Sequence, residues 1–377
     1  SHPDHKILLS LQRIFIDILD KEMERTPITF PVITACFSTN ENNEIKDRNF
    51  LRFVAHRNEQ WGQINIYAGK SSTLSSCCRL RSDTSNEYFN SFGAGTTKIG
   101  SLGVCTINLP RLAFVNNDKE KFLLELAKLV EVCSLVNRAK RRIIEERIKT
   151  GHHPLYDLGF LNLEKQYLTC GINGFNEAIE LLGEDILTDK GTALGQEIID
   201  TINNVNDAES KTYKMPFNCE QIPAENVAVK LAEKDMLLGY NDGRYKLYSN
   251  QFIPLTTKAD LLDRIYLQGQ FDSKFTGGAI MHCNCETRIT WQQQMDLIET
   301  CVKNGVVYFA INYNLQECEN GHMSVGKNGH CPICGKEIVN DYTRVVGFLT
   351  CVKNWHPTRR TIDYPNRKFY NEEGMRV

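Results

Sequence analysis

Two cysteines three positions apart, in Cys331-Pro-Ile-Cys334-Gly335, constrain this chain more than any other short segment. Two thiolates at this spacing grip one tetrahedral metal, and a glycine after the second permits the tight turn. The other half of such a site is irregular. In Cys318-Glu-Asn-Gly321-His322 a glycine stands where a second paired thiol would be, so Cys318 and a histidine must complete the set. His322 is the natural fourth ligand and His330 the alternative. Four protein ligands leave no position for water, so the expected metal is a structural zinc. Shortly downstream a lone glycine, Gly347, sits in the apolar, strand-like run Thr343-Arg-Val-Val-Gly347-Phe-Leu349.

Fourteen cysteines in 377 residues is a rich supply, and no signal peptide is expected. In a long chain of this kind metal and redox chemistry is expected before disulfides. Cys36, Cys105, Cys133 and Cys170 lie in apolar runs and read as plain buried thiols. Basic residues (44) and acidic residues (46) nearly cancel, which argues against a nucleic-acid polymer as partner. No run of about 18 apolar residues exists, so no membrane span is expected and the cytoplasm is the expected compartment.

Along the chain, apolar residues at helical spacing mark 5–25, 47–60, 119–149, 178–182, 190–205, 224–236 and 290–304. Strands are expected at 29–37, 64–67, 103–109, 166–172, 277–282 and 306–312, with 213–222 extended. Strands alternating with helices predict an α/β architecture with parallel pairings. Residues 315–377 form a C-terminal appendix to a core of residues 1–314.

Three further features invite chemistry. The turn Cys170-Gly171-Ile-Asn173-Gly174 follows a strand and opens a helix, where backbone N–H groups can hold an anion. Cys283-Asn-Cys285 is a close thiol pair, although not at the usual redox spacing. Lys140-Arg-Arg142 reads as a solvated helix face. Far upstream of the zinc motif, Ser75-Ser-Cys77-Cys78-Arg79-Leu80 places a vicinal cysteine pair in a polar, turn-rich stretch.

Taken together, the zinc knuckle, Arg344-Val-Val-Gly347-Phe348-Leu and the Cys77-Cys78 pair resemble the anaerobic (class III) ribonucleoside-triphosphate reductases, a family of glycyl radical enzymes. Segments in family order extend the likeness over most of the chain. They include Thr29-Phe-Pro-Val-Ile-Thr34, Ile107-Asn-Leu-Pro-Arg111, Gly171-Ile-Asn-Gly174 with Asn176-Glu-Ala178, Gln268-Gly-Gln-Phe-Asp272, Thr276-Gly-Gly-Ala-Ile280 and Tyr308-Phe-Ala-Ile-Asn312.

The resemblance implies the C-terminal half of a ten-stranded glycyl-radical-enzyme α/β barrel, with a finger loop at about 70–83 and a small zinc-binding appendix. It implies a radical stored on Gly347, generated by an S-adenosylmethionine-dependent iron–sulfur activase, and a thiyl radical on Cys78 beside Cys77. The implied reaction reduces ribonucleoside triphosphates to 2′-deoxyribonucleotides for DNA replication, under ATP and dNTP effectors, in a homodimer. Substrate contacts fall on Gly171, Asn173, Gly174, Asn176 and Ser101.

The chain departs from the family at three places. Phe348 replaces a tyrosine after the radical glycine. Ser101 replaces the asparagine of formate-using members, which points to a thioredoxin- or glutaredoxin-like reductant. The family's N-terminal half is missing, and with Ser1 as first residue the chain reads as a processed or truncated piece, catalytically incomplete alone. Two other readings compete: another glycyl radical enzyme of the pyruvate formate-lyase type, and a non-catalytic zinc-ribbon binding module.

Overall fold

The computed structural model describes residues 4–69, 73–76, 80–83, 100–345 and 347–371. Its elements run α1 (His5–Met23), β1 (Ile33–Ser38), α2 (Arg48–Trp61), β2 (Ile64–Gly69), β3 (Thr73–Ser76), β4 (Leu80–Asp83), β5 (Gly100–Asn108), α3 (Leu109–Val115), α4 (Lys119–Lys149) and α5 (Pro154–Asp157). Then come β6 (Gln166–Asn173), α6 (Phe175–Leu181), α7 (Asp189–Tyr213), β7 (Phe217–Gln221), α8 (Glu225–Leu237), α9 (Leu261–Asp272), β8 (Met281–Asn284), α10 (Trp291–Lys303) and β9 (Tyr308–Asn312). The chain ends with β10 (Leu315–Cys318), β11 (Met323–Val325), β12 (Ile338–Arg344), β13 (Leu349–Cys351) and short helical turns over 352–366.

Helix starts follow local chemistry. The Asp47, Asp118 and Thr188 side chains accept the N–H of Phe50, Lys121 and Gly191, closing the first turns of α2, α4 and α7. Thr290 and Gln293 form a reciprocal capping box on α10. Pro110, expected to end a strand, instead sits in the first turn of α3, where its missing N–H costs nothing and Asn108 caps the helix. Helix α9 was not anticipated. It buries the polar Arg264, Gln268 and Asp272 and exposes Leu262 and Tyr266, so its apolar residues do not trace one face at helical period.

Three sheets carry the described core. Strands β5, β6 and β7 are parallel, with Cys105 beside Cys170 beside Cys219. A mixed sheet has the order β1-β2-β9-β8, in which the β2–β9 pair is antiparallel. The expectation of parallel pairing therefore holds for the β1–β2 and β8–β9 pairs and for the three-stranded sheet, and fails at the centre of the mixed sheet. A parallel bridge between Glu220 and Gly278 ties β7 to the segment that leads into β8. The third sheet, β11-β10-β12-β13, is antiparallel and lies in the C-terminal appendix, where no strands beyond the apolar run were expected.

The fold is mixed α/β, and among the described residues no sheet closes into a barrel. Two apolar cores back the sheets. One spans α2, β1, β2, α10 and β9, and takes in Leu315, Met323 and Leu349 of the appendix, so packing is continuous across residue 315. The other joins α3, α4, α6, α7 and α9 to the parallel sheet. No helix among the described residues is long and apolar enough to cross a membrane.

Candidate active site and metal centre

The β10–β11 turn and the 331–335 turn bring the four sulfur and imidazole groups together. The ligand atoms of Cys318, His322, Cys331 and Cys334 all lie within 4.8 Å of one another. Each turn depends on a left-handed glycine, Gly321 (φ 76°) and Gly335 (φ 71°), which a Cβ would strain. The Cys318 N–H donates to His322 O and the Gly335 N–H to Cys331 O, folding each half of the site.

The Cys318 and Cys334 sulfurs are 3.8 Å apart, and the Cys331 sulfur is 3.8 Å from His322 Nδ1. A tetrahedron of Zn–S bonds near 2.3 Å has edges of about 3.8 Å, so the donor set fits zinc. The Asn320 amide donates to the Cys334 sulfur at 3.5 Å, an outer contact that favours a thiolate. Burial opposes ionisation of Cys331, but backbone N–H groups of Cys334 and Ile333 outweigh it and bring the thiol down to about 6. His330 is not of the group; it forms a bridge with Glu337.

Strand β12 leaves this cluster and ends at Arg344, and β13 begins at Leu349. The run 343–349 is thus not one strand. Gly347 lies buried in the turn between two strand ends. Three side chains hold the carbonyls of that turn. The Arg367 guanidinium donates to Arg344 O, the Asn250 amide to Val345 O at 3.1 Å, and the Asn65 amide to Gly347 O at 2.7 Å. Arg344 is itself fully buried, donating to Asn312 Oδ1 and Gly62 O, and burial lowers its guanidinium to about 10.

Arg367 is fixed by Asp363, which also pairs with Arg359 at 2.7 Å. Burial alone would raise the Asp363 carboxyl, but the flanking Arg367 and Arg359 charges outweigh it and hold it below its ordinary value. The Arg367 guanidinium also stacks on Trp355, 4.6 Å from the ring centre.

Beside this cluster opens a cavity of about 270 Å³, lined in part by Asn176, Glu177, Tyr245, Ser249, Arg359 and Arg367. Its size is at the small end of small-molecule sites. Gly171, Asn173, Gly174 and Asn176 come together at the end of β6 and the start of α6. The Gly174 N–H is already spent on Ser249 O, and the Asn173 amide donates to the same carbonyl. Asn173 Oδ1 is buried with no partner, and Asn176 donates to Glu180 at 2.7 Å.

The Glu177 carboxylate accepts the Ser249 N–H and hydroxyl, at 2.8 and 3.0 Å. Burial raises Glu177 to about 7, against those hydrogen bonds. A buried carboxyl in the first turn of α6 competes with any anion there.

Ser101 is elsewhere. It pairs with Tyr167 at the opposite end of the sheet, about 20 Å from Asn173 at strand rise, and hydrogen-bonds Thr169. Cys77 and Cys78 fall between β3 and β4 and lie outside the described residues, as does most of the stretch around them.

Other expectations resolve plainly. Cys283 and Cys285 are buried and outside the metal group. A hydrogen bond with Cys301 and then burial push the Cys283 thiol up, and burial does the same to Cys285, so neither is a ready thiolate. The basic run is not all solvated. Arg141 turns inward to Glu145 and Leu163 O, because the sheet-facing side of α4 passes through it. All twelve described cysteines are free. Asn65, Asn250, Glu177 and the Arg359–Asp363–Arg367 cluster were missed. A polar residue inside the apolar strand Ile64-Asn65-Ile-Tyr67 was the one available signal.

These features, a metal knuckle feeding a buried, clamped glycine turn beside a polar cavity, define a site class that comparison can identify. The model of the anaerobic ribonucleoside-triphosphate reductase family matches residues 5–370. No curated protein matches. A solved anaerobic ribonucleotide reductase is 34% identical, with a TM-score of 0.86 over 98% of this chain and 60% of its own.

The Thermotoga maritima anaerobic ribonucleotide reductase in complex with dATP and CTP is 35% identical, with a TM-score of 0.83 over 95% of this chain and 60% of its own. A second Thermotoga maritima structure, with dATP in the specificity site, has a TM-score of 0.81 at 34% identity, covering 94% of this chain and 59% of its own. The chain belongs to the anaerobic ribonucleoside-triphosphate reductase family, an oxidoreductase class, and spans about 60% of the length of these relatives.

Proposed function

We propose that this chain is the C-terminal catalytic portion of an anaerobic ribonucleoside-triphosphate reductase that works by glycyl and thiyl radicals. The observation that carries the reading is Gly347. It is buried, its carbonyl is held by Asn65, and its loop follows directly on a four-ligand metal cluster. Only glycine lacks the Cβ that would crowd a planar backbone radical.

In this reading an S-adenosylmethionine-dependent iron–sulfur activase removes a hydrogen atom from Gly347, and Cys78 carries the thiyl radical to substrate. The thiyl takes the ribose 3′ hydrogen and returns it to C3′ after reduction at C2′, which restores the thiyl. The 2′ hydroxyl leaves as water, and a thioredoxin- or glutaredoxin-like dithiol supplies two electrons and becomes a disulfide. Cys77 is the neighbouring thiol, and Ser101 stands where formate-using members have asparagine.

Gly171, Asn173, Gly174 and Asn176 border the substrate; the unpartnered Asn173 Oδ1 suits a ribose hydroxyl better than a phosphate. Cys318, His322, Cys331 and Cys334 hold a structural zinc. Residues 315–377 form the zinc and radical unit. Residues 1–314 form part of a ten-stranded barrel that the rest of a relative's length would complete. ATP and dNTPs act as effectors, by analogy with the relative bound to dATP and CTP, and the complete enzyme is a cytoplasmic homodimer.

Anaerobic EPR tests this, on the chain together with the remainder of the reductase after incubation with activase, reductant and S-adenosylmethionine. A glycine-type doublet that disappears in Gly347→Ala is the expected result. No doublet with a competent activase overturns the radical reading.

A further inference from the structure

We infer that Asn65 is a positioning residue for the radical centre, a role that rests on the reading of Gly347 as the radical glycine. Asn65 projects from β2, fully buried, and its amide nitrogen has two acceptors: Gly347 O at 2.7 Å and the Tyr308 hydroxyl at 2.9 Å. Tyr308 sits on β9, where it pairs with Tyr67, two residues along β2 from Asn65, and its hydroxyl is 3.4 Å from Thr34 Oγ1 on β1. The amide orientation follows from chemistry. A carbonyl oxygen cannot donate, so the group facing Gly347 O must be the NH₂, and both of its hydrogens are used. Neighbouring strands thus aim one N–H at one carbonyl.

That carbonyl is where the unpaired electron of a glycyl radical spreads. The amide nitrogen pushes electron density toward Cα and the carbonyl withdraws it, so both must stay coplanar with the radical carbon. A donor on the carbonyl oxygen favours the resonance form with electron density on oxygen and holds the carbonyl in that plane. Asn250 and Arg367 hold the carbonyls of Val345 and Arg344, upstream of the radical carbon, so they fix the loop without touching the delocalised system. Asn65 alone among these three acts on Gly347 itself.

The test is deuterium ENDOR on the glycyl radical of the activated enzyme, prepared in H₂O and in D₂O. The expected wild-type spectrum shows an exchangeable deuteron beyond that of the Gly347 amide, and this coupling is absent in Asn65→Ala. Radical yield falls about two- to tenfold in Asn65→Ala, the worth of one net hydrogen bond. It falls further in Asn65→Asp, whose carboxylate opposes the carbonyl.

A wild-type doublet with no second exchangeable coupling overturns the role of Asn65 while leaving the radical on Gly347 intact, and this holds even if the variants misfold. Unchanged coupling and yield in a folded, zinc-loaded Asn65→Ala overturns it equally. No doublet in the wild type overturns both readings.

Discussion

The Cys/His lobe and the turn after β6 both rest on left-handed glycines, yet the surroundings differ. Gly321 and Gly335 have nothing within 4 Å of where a Cβ would stand. Their loops are exposed, and sulfur and imidazole are what converge there. A Cβ on Gly174 would meet Pro110 at 2.3 Å, and one on Gly171 would meet Ile222 at 2.5 Å and Val104 at 2.8 Å. The first region gathers four residues that could hold a metal ion, and the second is shaped by packing against neighbours distant in sequence. Glycine identity alone does not distinguish them; the space around it does.

Metal removal should break the comparison most strongly. Structural zinc contributes about 10–16 kcal/mol to folding of small sites. Chelation, or Cys331→Ser, should therefore unfold the 318–337 segment and leave the β5–β7 sheet intact. Hydrogen exchange measured alongside zinc stoichiometry checks this. Equal loss of protection in both regions would show that they fold as one unit, although Leu315, Met323 and Leu349 pack in the core behind the mixed sheet and not in the one behind β5–β7.

Asp363 ties the glycine turn to the cavity wall. Asp363→Ala leaves Arg359 and Arg367 buried side by side without their shared counter-charge, at a cost of about 3–5 kcal/mol. Urea unfolding should show it. A loss below about 1 kcal/mol would mean that water reaches the two guanidinium groups.

Substituting the glycines themselves sharpens the contrast. Gly174→Ala combines left-handed strain of about 1–2 kcal/mol with overpacking of about 1–3 kcal/mol. Gly335→Ala carries the strain alone. Denaturation midpoints of zinc-loaded protein should therefore fall further for Gly174→Ala. Equal losses would show that Pro110 yields and that the turn after β6 is no better packed than the lobe.

The same contrast explains what could be read from the sequence. Cys318, His322, Cys331 and Cys334 announce themselves because their chemistry is local and their spacing is a property of one metal. The choice between His322 and His330 was not local; it depends on the β10–β11 turn. The helix with Pro110 in its first turn and the inward Arg141 were hidden because a proline and a basic run each have two structural meanings that only neighbours decide. The clamp on Gly347 was illegible for a stronger reason. Asn65, Asn250 and Arg367 are far apart in the chain, and amide side chains carry no spacing rule. Glu177 was visible as a letter within Asn176-Glu-Ala178, but its burial depends on Ser249, which no motif marks.

Glu177 separates the two regions by pH. Burial, the dominant influence, raises its carboxyl from an ordinary 4.5 to about 7, while hydrogen bonds from Ser249 pull the other way. The fold therefore favours the protonated acid. Below pH 4.5 the acid is protonated in both folded and unfolded chains and this contribution is fully present. Between 4.5 and 7 the unfolded chain releases its proton first, the folded chain holds the extra one, and stability falls as pH rises. The loss approaches about 3 kcal/mol above pH 7.

Glu177→Gln lacks this titration, so its stability relative to wild type should climb across that window and then level off. Subtracting the two curves removes the acid release of zinc, which affects both proteins alike. Parallel curves would mean that the Ser249 hydrogen bonds fully offset burial. The turn after β6 would then tolerate a carboxylate, and with it a polar substrate edge.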